Sequence, residues 1–227
     1  MIQSYSEFLP ALLQAGFSFA YGGNDQGLFS LLKYDWTNEP PESALKWFGD
    51  DPALDPCLWR MRLLSERDDI SYAKVFFKKA GYITKEWVPY FLAARRPKSF
   101  DEAYADGLIT HYAKTVYDHL REHGPTPADR LKFSKEDKKK YERAAEELQM
   151  GLYITLCGQD QKISSKGEEY GWASNVFCTT EEFWQEDVFT QAAAISPEDA
   201  EEKITQQILS INPDSPPKKM RKFIYGK

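Results

Sequence analysis

The chain is short of cations, of cysteine and of histidine, and each shortage closes off a class of function. Its 227 residues carry 29 Lys and Arg against 35 Asp and Glu, a formal net charge of -6. An acidic total counts against simple, non-specific nucleic-acid affinity, which needs clustered cations. It leaves room for a local basic patch, because nearby charges set the field that a phosphate meets. The three Cys, at 57, 157 and 178, include no C-x-x-C pair. That excludes a zinc finger or dithiol redox motif and predicts reduced thiols, as in a cytoplasmic protein. Cys157 and Cys178 are expected to face each other in a hairpin, as packing residues. No Ser-His-Asp arrangement and no dinucleotide fingerprint is present, so no cofactor and no metal is expected. No apolar run approaches a membrane span. Glu7 and Pro10 interrupt the apolar start, which argues against a signal peptide. There is no internal repeat and no low-complexity tract. Hydrophobic residues at 42% and aromatics at 15% are enough for a packed core, which excludes global disorder.

What is present centres on residues 109–178. Ile109, Tyr112, Ala113, Val116 and Leu120 have the spacing of a one-sided helix. Gly124 stops it. Thr126 and Pro127 predict a short second helix, with Thr as cap and Pro at the first position. Ser134 and Asp137 form an approximate capping box for a third helix. Tyr141, Ala144, Ala145 and Leu148 are its inner stripe, and Lys135, Lys138, Lys139, Lys140 and Arg143 cover the rest. Leu152 to Cys157 reads as a strand, Gly158 to Gly167 as a polar loop with Lys162 and Lys166. Tyr170, Trp172, Ser174 and Val176 then alternate on one face of a returning strand. Helix, turn, helix, basic helix and hairpin is the order of a winged helix-turn-helix, whose third helix enters a DNA groove. The plainer reading is an ordinary α+β core with a solvated basic helix.

The flanks are legible more coarsely. Residues 2–15 read as a helix capped by Ser4 or Ser6 and ended by Gly16. Phe17 to Tyr21 reads as a strand and Gly22-Gly23-Asn24-Asp25 as a turn, without the Lys and Ser/Thr of a P-loop. Leu28 to Leu32 continues as strand or helix, Pro40-Pro41 is a loop, and Ser43 to Phe48 is a turn or two of helix. Asp55-Pro56 opens a helix through Trp59, Leu63 and Leu64. Ile70 to Phe77 is a strand that Lys78-Lys79-Ala80-Gly81 leaves. Thr84 caps a helix through Trp87, Tyr90 and Phe91, closed by Pro97. Ser99 and Glu102 make a capping box. Thr180-Glu181-Glu182 starts a helix with Phe183, Trp184 and Val188, and Ser196-Pro197 starts another with Ala200, Ile204 and Ile208 inside. The tail from Pro213 is expected to be mobile, with Phe223, Ile224 and Tyr225 as its docking residues.

Several patterns have a functional and a plainer reading. Lys78, Lys79, Arg95 and Arg96 form a second basic cluster, read equally well as phosphate contacts beside Tyr82 or Trp87 or as a solvated corner and helix end. Lys218 to Lys222 grips phosphate or only solvates the tail. Trp172 and Trp184 are expected in the core. His119-Leu120-Arg121-Glu122-His123 matches the inverted zinc-protease motif. A third ligand is required and none is evident, so a solvated helix end, where the dipole favours His, is the expectation. His111 is read as a surface or packing residue.

Val75 to Arg96, VFFKKAGYITKEWVPYFLAARR, resembles a segment of the AlkZ/YcaQ family of winged-helix DNA glycosylases. Phe76 stands where that family has Trp and Lys78 where it has His; Ala80, Glu86, Trp87, Pro89, Arg95 and Arg96 agree in type. His123-Gly124-Pro125-Thr126 is similar to its Gly-Pro-Leu-Thr turn, and Glu142 to Gly151 to the end of its recognition helix. The resemblance covers 57–190. It implies tandem winged helices, a groove for double-stranded DNA and a role in DNA repair. It does not carry the excision chemistry across, because Ser18 and Ala20 stand where the family has a Gln-x-Asp or Gln-x-Gln pair. Neither can activate a water against a glycosidic carbon. Gln159-Asp160-Gln161 spells that motif at the wing instead, as a coincidence.

The expected fold is α+β, winged helix-turn-helix, in tandem modules: residues 1–98, a central 99–190, and a C-terminal helix and tail over 191–227. The expected function is DNA binding without excision, through Lys78, Lys79, Arg95, Arg96, Lys135, Lys138, Lys139, Lys140, Arg143, Lys162 and Lys166, gathered by folding onto one trough. The alternatives are a winged-helix protein-interaction module, which the acidic total favours, and an active hydrolase with a non-standard site.

Overall fold

A computed structural model describes residues 2–20, 45–46, 48–164 and 166–226. The expectations for Gly22 to Asp25, Leu28 to Leu32 and Pro40-Pro41 lie outside the described residues, as does part of Ser43 to Phe48. The chain divides into two compact units, residues 1–97 with 186–227, and residues 98–185.

The first unit opens with helix α1 (Tyr5–Ala15), where Ser4 accepts from the Glu7 N–H at 3.3 Å. Strand β1 (Phe17–Phe19) follows directly. Helix α2 (Pro56–Glu66) starts on Asp55, whose carboxylate accepts from the Cys57 N–H at 2.8 Å, with Pro56 at the first helical position. Strands β2 (Ile70–Phe76) and β3 (Lys79–Thr84) complete an antiparallel sheet of order β1-β3-β2. Lys78 to Gly81 therefore does not lead away from the sheet. Phe77 and Lys78, at φ 49° and 61°, make a two-residue turn that sends the chain back as β3. Such turns need positive φ at both positions and usually announce themselves by Asn-Gly; here nothing does. Helix α3 (Val88–Arg95) begins at Trp87 without a side-chain cap. Thr84 is not that cap: it stays in the sheet, paired with Ile70.

The second unit begins with α4 (Phe100–Ala105), and its predicted capping box is present in both directions between Ser99 and Glu102. Helix α5 (His111–His123) buries Ala113, Val116, Tyr117 and Leu120, and Gly124 ends it at φ 74°. Strand β4 (Thr126–Pro127) replaces the expected short second helix. The Thr126 hydroxyl donates to the Gly124 carbonyl at 3.0 Å instead of capping. Pro127, lacking an N–H, is tolerated because β4 is an edge strand. Residues 128–137 form neither helix nor strand. Helix α6 (Lys138–Met150) starts four residues after Ser134, with Asp137 at its N-cap and no side-chain cap bond. Strands β5 (Ile154–Asp160) and β6 (Ser174–Thr179) form a hairpin, and the sheet order is β4-β6-β5. Helix α7 (Thr180–Phe183) closes the unit. From α1 in the first unit and from α5 in the second, the described residues run helix, strand, helix, strand, strand, and in both the first strand pairs with the last.

Three helices return to the first unit: α8 (Glu186–Ala193), α9 (Pro197–Ile211) and α10 (Pro217–Tyr225). Ser196 caps α9, and Ala200, Ile204 and Ile208 are its buried stripe as expected. All three helices pack against α3. The tail is therefore a docked helix, not a mobile one. Met220, Phe223 and Ile224 are buried, and the Phe223 ring stacks on Phe76 at 3.9 Å and 12°. Burying one such ring contributes about 2 kcal/mol, enough to hold a short helix.

Candidate nucleic-acid interface

Helix α6 turns Ala144 and Leu148 inward, packing against α5, and so turns its cations outward. Lys138, Lys139, Lys140 and Arg143 are all exposed. The first turn holds three Lys and no acid, the reverse of what the helix dipole favours. Lys140 is partly spoken for. It bridges the Asp137 carboxylate at 2.8 Å and donates to the Tyr112 hydroxyl at 3.0 Å. The Asp137 hydrogen bond, then Tyr112, raises its pKa. Lys132 pairs with Glu142 at 3.1 Å. Lys138, Lys139 and Arg143 have no ion pair among the described residues and stand free to meet an anion. Lys135 is exposed just before the helix.

The β5–β6 hairpin carries Lys162, half-exposed, and Lys166, exposed. Arg130 pairs with Asp160 at 3.2 Å where the strands meet the loop. The returning strand begins only at Ser174, so Tyr170 and Trp172 lie on the hairpin's far end. Trp172 is not core: it is 81% exposed, with Tyr170 at 55% and Ile163 at 56%. A loop without a facing layer has nothing to bury them against. Trp184, by contrast, is buried as expected. Across the hairpin, Cys157 sits at a bulge between Leu156 and Gly158. A hydrogen bond from Cys178 lowers the Cys157 pKa, while that same bond and burial raise that of Cys178. All three Cys are free thiols.

The other basic cluster, Lys78, Lys79, Arg95 and Arg96, belongs to the first unit. Lys78 is exposed in the β2–β3 turn and Lys79 opens β3. The Arg96 guanidinium lies 5.9 Å over the Phe189 ring. Arg95 is turned inward. Its Nε donates to the Ile224 carbonyl at 2.7 Å, Nη2 to Phe223 at 2.6 Å and Nη1 to Val75 at 2.8 Å. Burial lowers its pKa to about 9, so it stays charged at neutral pH. The sequence holds no sign of this: Arg95 and Ile224 are 129 positions apart. Nor does it hint that Tyr112, 28 positions from Lys140, takes up that cation.

The chain matches the family model described as AlkZ related over residues 2–225. It belongs to the AlkZ-related family. No curated protein and no solved structure matches it.

In this AlkZ-related chain Ser18 and Ala20, expected from the resemblance to stand in place of a polar pair, lie inside the first unit. Ser18 is fully buried in β1 and donates to the Phe19 carbonyl at 2.7 Å. Ala20 is 2% exposed. Gln159-Asp160-Gln161 is engaged along the hairpin: Gln159 reaches Asn175, Asp160 holds Arg130, and Gln161 donates to the Gly171 carbonyl at 3.3 Å. His119 and His123 end α5 with ring centroids 4.5 Å apart. Among the described residues no three His, Cys, Asp or Glu are grouped to hold a metal. No helix of the described residues is long and apolar enough to cross a membrane.

Proposed function

We propose that this AlkZ-related protein binds double-stranded DNA through a winged helix in its second unit, and that it does so without base excision. In this reading α6 is the recognition helix and the β5–β6 hairpin is the wing. The strand order β4-β6-β5, with β4 between α5 and α6, supports it. So does the matching order β1-β3-β2 in the first unit, which would be the other member of a tandem pair. The observation that carries the proposal is the uncapped, all-Lys first turn of α6. Helix N–H groups without a side-chain cap and exposed Lys side chains share that turn, a favourable setting for phosphate. Lys138, Lys139 and Arg143 would make the principal contacts, with Lys135, Lys162 and Lys166 beside them and Lys140 held in place by Asp137.

The second unit is a better candidate than the first. The helix at the equivalent place there, α2, commits its cations internally: Arg62 to Glu66 at 2.8 Å and Arg60 to the Tyr72 hydroxyl at 3.4 Å. Arg95 is spent on α10. Lys78, Lys79 and Arg96 would add at most peripheral phosphate contacts. The burial of Ser18 and Ala20 supports the absence of excision, since a water poised at a glycosidic carbon needs an accessible polar partner.

The test is a labelled duplex titrated with the full chain at rising salt, alongside an abasic-site assay on alkylated duplex. Binding that weakens steeply with salt, with no abasic product, supports the proposal. A second reading, protein interaction, rests on the apolar hairpin end at Ile163, Tyr170 and Trp172. Absence of duplex binding at low salt would favour it.

A further inference from the structure

The H-x-x-E-H run ending α5 is chemistry that DNA binding leaves unused. His119 and His123 are four residues apart, about 6 Å along the axis, and so share one face of the helix. Their ring centroids lie 4.5 Å apart at 54°. An ion about 2 Å from each of two ring nitrogens fits between rings at that spacing. His119 is half-buried and packed on Phe133 at 4.9 Å, which orients it, while His123 is exposed. The Glu122 carboxylate lies 3.7 Å from His123 Nε2 and adds negative charge beside the pair.

We propose that His119 and His123 chelate one borderline divalent ion, Ni2+, Cu2+ or Zn2+, with water filling its remaining positions. Imidazole nitrogen selects these ions over Mg2+ and Ca2+. Among the described residues no three His, Cys, Asp or Glu are grouped to hold a metal, so the site is an open, two-imidazole chelate. It is not the three-ligand centre of a zinc hydrolase. Its effect is mechanical: the ion ties the last turn of α5 to the turn before it, where Gly124 ends the helix. Because the unfolded chain lacks this spacing, binding stabilises the fold.

The experiment is calorimetric titration of the full chain with NiCl2 at neutral pH, after iodoacetamide has blocked the accessible thiols; Cys178 is buried and out of reach of the ion. His111, at the other end of α5, is the internal control. One Ni2+ per chain is expected. His123→Ala and His119→Gln should each weaken binding at least tenfold, and His111→Ala should leave it unchanged. Ni2+ should raise the Tm of the wild type but not of His123→Ala. His123 is exposed, so that variant reports even if His119→Gln folds poorly. Wild-type affinity in His123→Ala, or no uptake of Ni2+ by the wild type, overturns the proposal.

Discussion

The Arg95 guanidinium donates through Nη2 to the Phe223 carbonyl at 2.6 Å, and through Nε to Ile224 at 2.7 Å. A cation thus sits on the last-turn carbonyls of α10, where the helix dipole is negative. The same side chain reaches the Val75 carbonyl on β2 at 2.8 Å, so one residue ties the C-terminal helix to the sheet. Truncating it leaves three carbonyls short of a donor. Arg95→Ala should destabilise the first unit by about 3 kcal/mol, read as a lower urea midpoint. Proteolysis should then begin in α10. An unchanged midpoint would show that α10 is held by Phe223 and Ile224 alone.

Gly16 is the second point where a small change should be costly. Its φ is 83°, and a Cβ there would fall 2.1 Å from two atoms of the Trp87 indole. Trp87 is itself buried against Phe17, with ring centroids 5.1 Å apart. Neither the backbone nor the indole can yield cheaply. Gly16→Ala should cost about 2–3 kcal/mol, measured by thermal or urea unfolding. Gly107, also at positive φ but with nothing within 4 Å of a built Cβ, is the control and should cost less.

These two sites mark what could and could not be read from the sequence. The Ser99–Glu102 capping box, the Ser196-Pro197 helix start and the Gly124 stop were legible because each is decided within a few residues. Thr126-Pro127 was misread because Thr-Pro suits a helix start and an edge strand equally well. Pairing with Val176 and Phe177, about fifty positions later, decides between them. The Phe77–Lys78 turn was invisible because it uses left-handed backbone without Gly or Asn. Arg95 looked like surface charge because the helix that buries it lies at the other end of the chain. The exposed cations of α6 were legible because their alternation with Ala144 and Leu148 is local. The family assignment rested on the order of several weak motifs, and the match over residues 2–225 bears it out.

Acid should weaken the fold through His119. Burial, then the charge of His123, lowers its pKa below the ordinary 6.5. As pH falls, the unfolded chain takes up this proton before the folded one. The contribution is therefore complete above 6.5 and is lost as pH falls through the folded-state value. The urea midpoint of the wild type should drop between pH 7.5 and 5.5, and His119→Gln should show a smaller drop. An equal drop in both would assign the pH dependence to other groups.

The central claim is that the exposed cations of α6 meet DNA phosphates. The most direct measurement compares the wild type with the double variant Lys139→Glu, Arg143→Glu for duplex affinity across a salt series. Both positions are exposed, so the variant should fold with an unchanged melting profile. If α6 is the reading helix, affinity at low salt should fall by roughly tenfold or more. The slope of log affinity against log salt should shrink by about two, one for each phosphate contact removed. A double variant that binds duplex with the wild-type affinity and slope would contradict the account.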